Sequence, residues 1–142
     1  MAGSLWGRRQ FLVMIPGALL ALGGVHSPAG GVVAPRLAPH PDPRPGIDAS
    51  RVLRAAQLEH ARAAPVFDLV RQIPQVVDGI RCYCGCAETP GNYSLLSCYE
   101  AGGMAQQCNI CQGQARLAHR LNREGWSLNG IRAAIDAEFG AS

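Results

Sequence analysis

The chain has 142 residues, 48% of them hydrophobic, and 13 arginines without a lysine face 10 acidic side chains, for a net charge of +3. That length supports a single modest domain. The charge balance excludes the concentrated basic face that a nucleic-acid polyanion site needs, so no nucleic-acid partner is expected.

Arg8-Arg9-Gln10-Phe11-Leu12 matches a twin-arginine export signal, and an apolar run from Phe11 to Val25 follows it. The run falls short of the roughly 20 apolar residues of a spanning helix, and its order of charged, apolar and small residues is that of a secretory signal. Ser27-Pro28-Ala29 offers small residues for cleavage after Ala29. A signal peptide over 1–29 and an exported product, periplasmic or extracellular, are therefore expected, with the membrane reached only through an uncleaved signal. The twin-arginine route carries folded proteins, so a thiolate-rich domain could take up metal before meeting an oxidising compartment.

Six prolines between Ser27 and Gly46 make 30–47 read as an extended, disordered linker. After cleavage, 11 arginines remain against 10 carboxylates. The folded domain is assigned to 48–142, where so small a core benefits from a metal or disulfide staple.

Asp48 to Ala64 is rich in Ala, Arg, Leu and Glu and predicts a first helix capped by Asp48 or Ser50. Pro65 opens a second helix, with Val66, Leu69, Val70, Ile73, Val77 and Ile80 at helical spacing, a break at Pro74 and an end at Gly79. Cys82 to Asn92 is a loop by its Gly and Pro content. Tyr93 to Glu100 predicts a short helix with Leu95, Leu96 and Cys98 inward. A longer helix from about Gln106 to Glu124 carries Ile110, Gln114, Leu117 and Leu121 on one face and stops at Gly125. Ser127 caps a last helix with the stripe Leu128, Ile131, Ala134, Ile135 and Phe139. No segment alternates with a strand's period. The expected fold is all-α, about four helices around a cysteine-rich loop, with the last two forming an antiparallel hairpin rather than a DNA-reading helix-turn-helix.

All six cysteines fall between Cys82 and Cys111: Cys82, Cys84, Cys86, Cys98, Cys108 and Cys111. In an extended strand, residues i and i+2 lie about 6.6 Å apart. A tetrahedral ion with bonds of about 2.3 Å needs sulfurs under about 4 Å apart. Cys82, Cys84 and Cys86 can share one ion only if the backbone curls, which Gly85 permits, or they can span several bridged copper(I) ions. Cys108 and Cys111, at i and i+3 on a helix's first turn, present two thiolates whose charge the helix N-terminus stabilises. The leading set is thus Cys84, Cys86, Cys108 and Cys111 around zinc or copper(I), with Cys82 and Cys98 as further ligands or bridges.

Two alternatives stand beside it. Six cysteines allow 15 disulfide pairings, although bonds within Cys82–Cys86 fit the required geometry poorly. A dithiol exchanger would use Cys108 as nucleophile and Cys111 as resolving thiol, and only that reading makes the protein an enzyme. The histidines add no ligand. His26 lies in the signal, His40 in the linker and His60 on the first helix, while His119 is about 12 Å along the helix from Cys111. Covalent haem lacks its C-x-x-C-H motif, and no Ser/His/Asp set or paired carboxylates point to other catalysis.

Cys82-Tyr83-Cys84-Gly85-Cys86, Gly91-Asn92-Tyr93-Ser94-Leu95-Leu96-Ser97-Cys98-Tyr99, Cys108-Asn109-Ile110-Cys111 and Glu124-Gly125-Trp126-Ser127-Leu128 resemble a family of exported bacterial proteins of unknown function named for a Pro-Cys-Tyr-Cys-Gly-Cys motif. The chain departs from it at Arg81, where the motif has Pro, and at Asn92, where a Gly-His step is usual. The resemblance implies the domain and its cysteine set but no mechanism. Cys108-Asn109-Ile110-Cys111-Gln112-Gly113-Gln114 is also similar to the C-x-x-C-Q-x-Q thiol-oxidoreductase subunit of cytochrome c maturation, which implies a three-helix bundle reducing protein thiols. A metal-receiving or thiol-exchange protein of the cell envelope is the partner that these readings imply.

Overall fold

The computed structural model describes residues 39–140. The twin-arginine motif, the apolar run, the cleavage site and the first part of the linker lie outside the described residues. No helix among the described residues is long and apolar enough to cross a membrane.

The described residues are all-α, with α1 (Ala64–Gln72), α2 (Pro74–Asp78), α3 (Asn109–Arg123) and α4 (Leu128–Phe139); three 3-10 segments precede α1 and three lie between α2 and α3. Pro65 sits in the first turn of α1, where its missing N–H costs nothing. Pro74 restarts the chain as α2 after Ile73 leaves helical geometry, and the Ile73 N–H bonds the Val70 carbonyl at 3.0 Å. Val66, Phe67 and Val70 of α1 are buried, and Phe67 packs edge-on against Tyr99 with ring centroids 4.8 Å apart.

α3 buries Cys111, Gln114, Ala115, Leu117, Ala118, His119 and Leu121. It stops as the sequence predicts: Gly125 adopts a positive φ of 84°, and Gly125 N and Trp126 N bond the carbonyls of Asn122 and Leu121. Ser127 caps α4 by accepting from Gly130 N at 3.2 Å, and α4 folds back on α3 with Ile131 and Ile135 buried. The short helix expected near Tyr93–Glu100 is a 3-10 segment, Leu95–Tyr99, buried throughout and capped by Ser94.

Two expectations fail. The helix predicted over Asp48–Ala64 is instead three separate 3-10 turns, Ala49–Arg51, Ala55–Gln57 and Ala61–Ala63. Its apolar residues do not form one stripe, and the backbone is claimed by distant partners. Leu53 N bonds Tyr99 O at 3.1 Å, the Arg71 guanidinium bonds Leu53 O, and Glu59 N and His60 N both donate to Gln106 Oε1. Tertiary hydrogen bonds outweigh a weak helix propensity. Nor is the end of the linker free, since Pro39–Ile47 lies against the helices as a strap. His40 Nε2 meets Asp136 at 2.7 Å, Tyr93 Oη donates to Asp42 O, and the Arg132 guanidinium donates to Pro41 O.

The strap is locked by Asp78, at the last residue of α2 and wholly buried. Its carboxylate accepts from Arg44 N at 2.8 Å, from the Arg44 guanidinium at 2.6 Å and from the Ser94 hydroxyl at 2.7 Å. Burial opposes ionisation, but these donors outweigh it and hold the carboxyl below its usual range. The stabilisation is therefore full above the unfolded value, near pH 4, and is lost as the pH falls through the lower folded one. Asp78→Asn should cost roughly 3 kcal/mol, because it strands Arg44 and Ser94. Thermal melts at pH 7 should show a fall of at least about 10 °C, and a melt matching the parent would refute the assignment.

Candidate metal centre

The cysteine loop begins directly after α2 and is fixed to α3 by one amide. Gln114 is fully buried; its Oε1 accepts from Tyr83 N at 3.1 Å and its Nε2 donates to Arg81 O at 3.0 Å. The two bonds bracket Cys82 and hold it over Cys111, one turn before Gln114 on the same helix. Gly85 turns the loop with φ 87°, the curl that the triplet requires, and Cys86 opens the 3-10 turn Cys86–Glu88.

The consequence is a pocket of sulfur. The Sγ atoms of Cys82, Cys84, Cys86, Cys98 and Cys111 all lie within 4.8 Å of one another. Cys82, Cys84 and Cys111 form a triangle with edges of 3.2, 3.4 and 3.6 Å. Cys84 and Cys86 approach to 2.7 Å. Around a tetrahedral ion with bonds of about 2.3 Å, neighbouring sulfurs stand about 3.8 Å apart. The triangle is within a few tenths of an ångström of that spacing, and the Cys84–Cys86 edge would open by about an ångström on coordination. All six cysteines are free thiols. Donors at this density could hold a metal ion.

Cys108 is not in the group. The helix expected from about Gln106 begins at Asn109 instead, because Met104–Gln106 forms its own 3-10 turn. Cys108 is the cap residue, with extended backbone (φ −92°, ψ 110°). It is half-buried, and its N–H donates to Met104 O at 3.0 Å. The i, i+3 pair of one helical turn is thereby split. Cys111 joins the cluster and Cys108 does not. Cys98, expected as an accessory, takes a place among the five.

Within the cluster the thiols polarise one another. S–H donation from Cys111 and Cys98 draws the Cys82 thiol far below its ordinary range. Cys111 is pushed up as the donor to Cys82 and Cys98, and Cys84 is pushed up chiefly by burial. Cys82 is thus the sulfur whose thiolate is favoured, while Cys84, Cys98 and Cys111 are pushed the other way.

The supports around the sulfurs were the residues hardest to foresee. Tyr99 donates its buried hydroxyl to Cys111 O at 2.8 Å. Gly103 stacks on the Cys98 backbone so closely that a Cβ there would sit 2.3 Å from Cys98 O. The Cys86 S–H donates to Met104 Sδ at 3.3 Å. Only Gln114 gave a signal in the sequence, as a polar residue in an otherwise apolar helix stripe. Among the described residues, no histidine joins the sulfur group. His119 is buried against the Gln72 amide at 3.1 Å, and His60 Nε2 is buried without a partner among the described residues.

With the cluster in view, comparison with known proteins adds a family. The family described as proteins of unknown function with a PCYCGC motif matches residues 56–142. The chain belongs to this family. The matched span includes all six cysteines, Gln114 and Met104, whereas the strap precedes it. No curated protein and no solved structure matches the chain.

Gln114→Leu keeps the volume but leaves Tyr83 N–H and Arg81 C=O unpaired, at about 1–3 kcal/mol for each buried group. The expected result is a helical protein of reduced melting temperature whose thiolate-metal affinity falls about 10- to 100-fold. Titration with zinc and a competing chromophore checks it. Full affinity would show that the amide does not position Cys82.

Proposed function

We propose that this chain is an exported, cysteine-rich protein that binds a soft metal ion, zinc or copper(I), for storage, sensing or delivery to a partner in the cell envelope. The observation that carries the reading is the convergence of five cysteine sulfurs within 4.8 Å of one another. They are contributed by the Cys82–Cys86 loop, the Leu95–Tyr99 segment and the first turn of α3. Disulfide stapling needs no such five-fold convergence, since a staple uses sulfurs in pairs. Dithiol exchange at Cys108 and Cys111 is less well served, because Cys111 is wholly buried in the cluster while Cys108 stands outside it.

Cys82, Cys84, Cys86, Cys98 and Cys111 would hold the ion and give up protons to it as thiolates. The ion would supply a staple for a small core, so part of its binding free energy would be folding free energy. Full-length protein purified without oxygen should contain at least about one zinc or copper ion per chain by elemental analysis, with every thiol titratable after chelation. Cys84→Ser and Cys111→Ser should drop bound metal to near background and lower the melting temperature, while Cys108→Ser should retain the metal. Oxidised cysteines with no metal in the parent protein would sink the proposal. Loss of metal in Cys108→Ser alone would reassign the ligands.

A further inference from the structure

Beside the cluster lies an open cleft of about 520 Å³ whose walls include Gly102, Gly103, Met104, Gln107 and Cys108. Met104 belongs to both places. It is 56% exposed and lines the cleft, yet its thioether sulfur is 3.3 Å from Cys86 Sγ, whose own side chain is buried. Its thioether therefore connects the open cleft with a buried thiol. The backbone fixes the placement. Gly103, directly before Met104, presses on the Cys98 carbonyl where no Cβ could fit, and Met104 O accepts from both Gln107 N and Cys108 N.

We infer that Met104 is a sixth sulfur ligand that receives copper(I) from the cleft and passes it to Cys86, making this centre selective for copper(I) over zinc. The inference rests on the thiolate reading above and narrows it. A neutral thioether is a good ligand for copper(I), whereas zinc in proteins is held by thiolate, imidazole and carboxylate. The Met104 sulfur has no proton to lose, so it can take an incoming ion without waiting for deprotonation. Transfer then forms a copper–thiolate bond at Cys86, releases the Cys86 proton to solvent and breaks the copper–thioether bond. Copper stays monovalent throughout, and no electron moves. Of the six sulfur-bearing residues, Cys82, Cys86, Cys98 and Cys111 are buried and Cys84 is half-buried, so Met104 is the most exposed of them.

The test compares the full chain with Met104→Leu, both reduced and stripped of metal. Leu preserves an apolar side chain at an exposed site, and circular dichroism verifies the fold. Copper(I) is supplied as its complex with a chromogenic chelator, and zinc is titrated separately against a competing dye. Met104→Leu is expected to load and release copper(I) roughly tenfold more slowly or bind it roughly tenfold more weakly, with zinc affinity unchanged. X-ray absorption on the partly loaded parent should show a thioether sulfur that the variant lacks. Unchanged copper(I) kinetics and affinity in Met104→Leu, or an equal loss for both metals, would overturn the role of Met104 while leaving the thiolate centre standing. A parent protein that takes neither metal would overturn both.

Discussion

One buried carboxylate sets the conditions under which the rest of this fold can exist. Asp78 ends α2 without any exposure to solvent, and its charge is tolerable only because Arg44 and Ser94 converge on it. A carboxylate removed from water without such donors would be prohibitively costly. Folding must therefore bring the strap, the end of α2 and the start of the Leu95–Tyr99 segment to one point. Two of these continue directly into cysteines: α2 leads into Cys82, and Ser94 opens the turn that carries Cys98. The polar lock and the sulfur pocket are built from the same few residues of backbone.

A domain with so few aromatic side chains cannot rely on its core alone to fix a site to within an ångström. It uses directional contacts to do so. The Gln114 amide holds the backbone on both sides of Cys82, the Tyr99 hydroxyl holds the Cys111 carbonyl, and Gly103 abuts Cys98. Each contact acts on the main chain beside a cysteine and leaves the sulfur itself uncommitted. That arrangement suits ligands that must adjust their spacing when an ion arrives, because the anchors need not move with the thiols.

Much of this was legible in the sequence. Pro65, Pro74, Gly125 and Ser127 each act through backbone chemistry confined to their own neighbourhood, and the helices they bound follow. The curl at Gly85 was readable for the same reason. Elsewhere a local signal met a distant competitor. The Asp48–Ala64 segment has helix-forming composition, but its N–H and carbonyl groups serve Tyr99, Arg71 and Gln106, which lie far along the chain. Spacing alone paired Cys108 with Cys111. The helix began three residues later than expected, because the Met104–Gln106 turn intervenes, and that shift removed Cys108 from the face it was assigned. Met104 carried no periodic signal at all; its relation to Cys86 exists only in three dimensions.

The strap carries a consequence of its own. His40 is held at both ring nitrogens, with Nε2 on Asp136 and Nδ1 accepting the backbone N–H of Arg81 at 2.9 Å. Arg81 occupies the position of the proline that opens the family's motif. Proline has no backbone hydrogen to give. A chain that kept that proline could not hold an imidazole in this way, and the segment ahead of its cysteines would need a different mooring. The mooring of His40 is thus coupled to a departure from the motif, and exchanging Arg81 for proline would remove one fastening of the strap, about forty residues upstream along the chain, while its bonds to Asp78, Tyr93 and Arg132 remain.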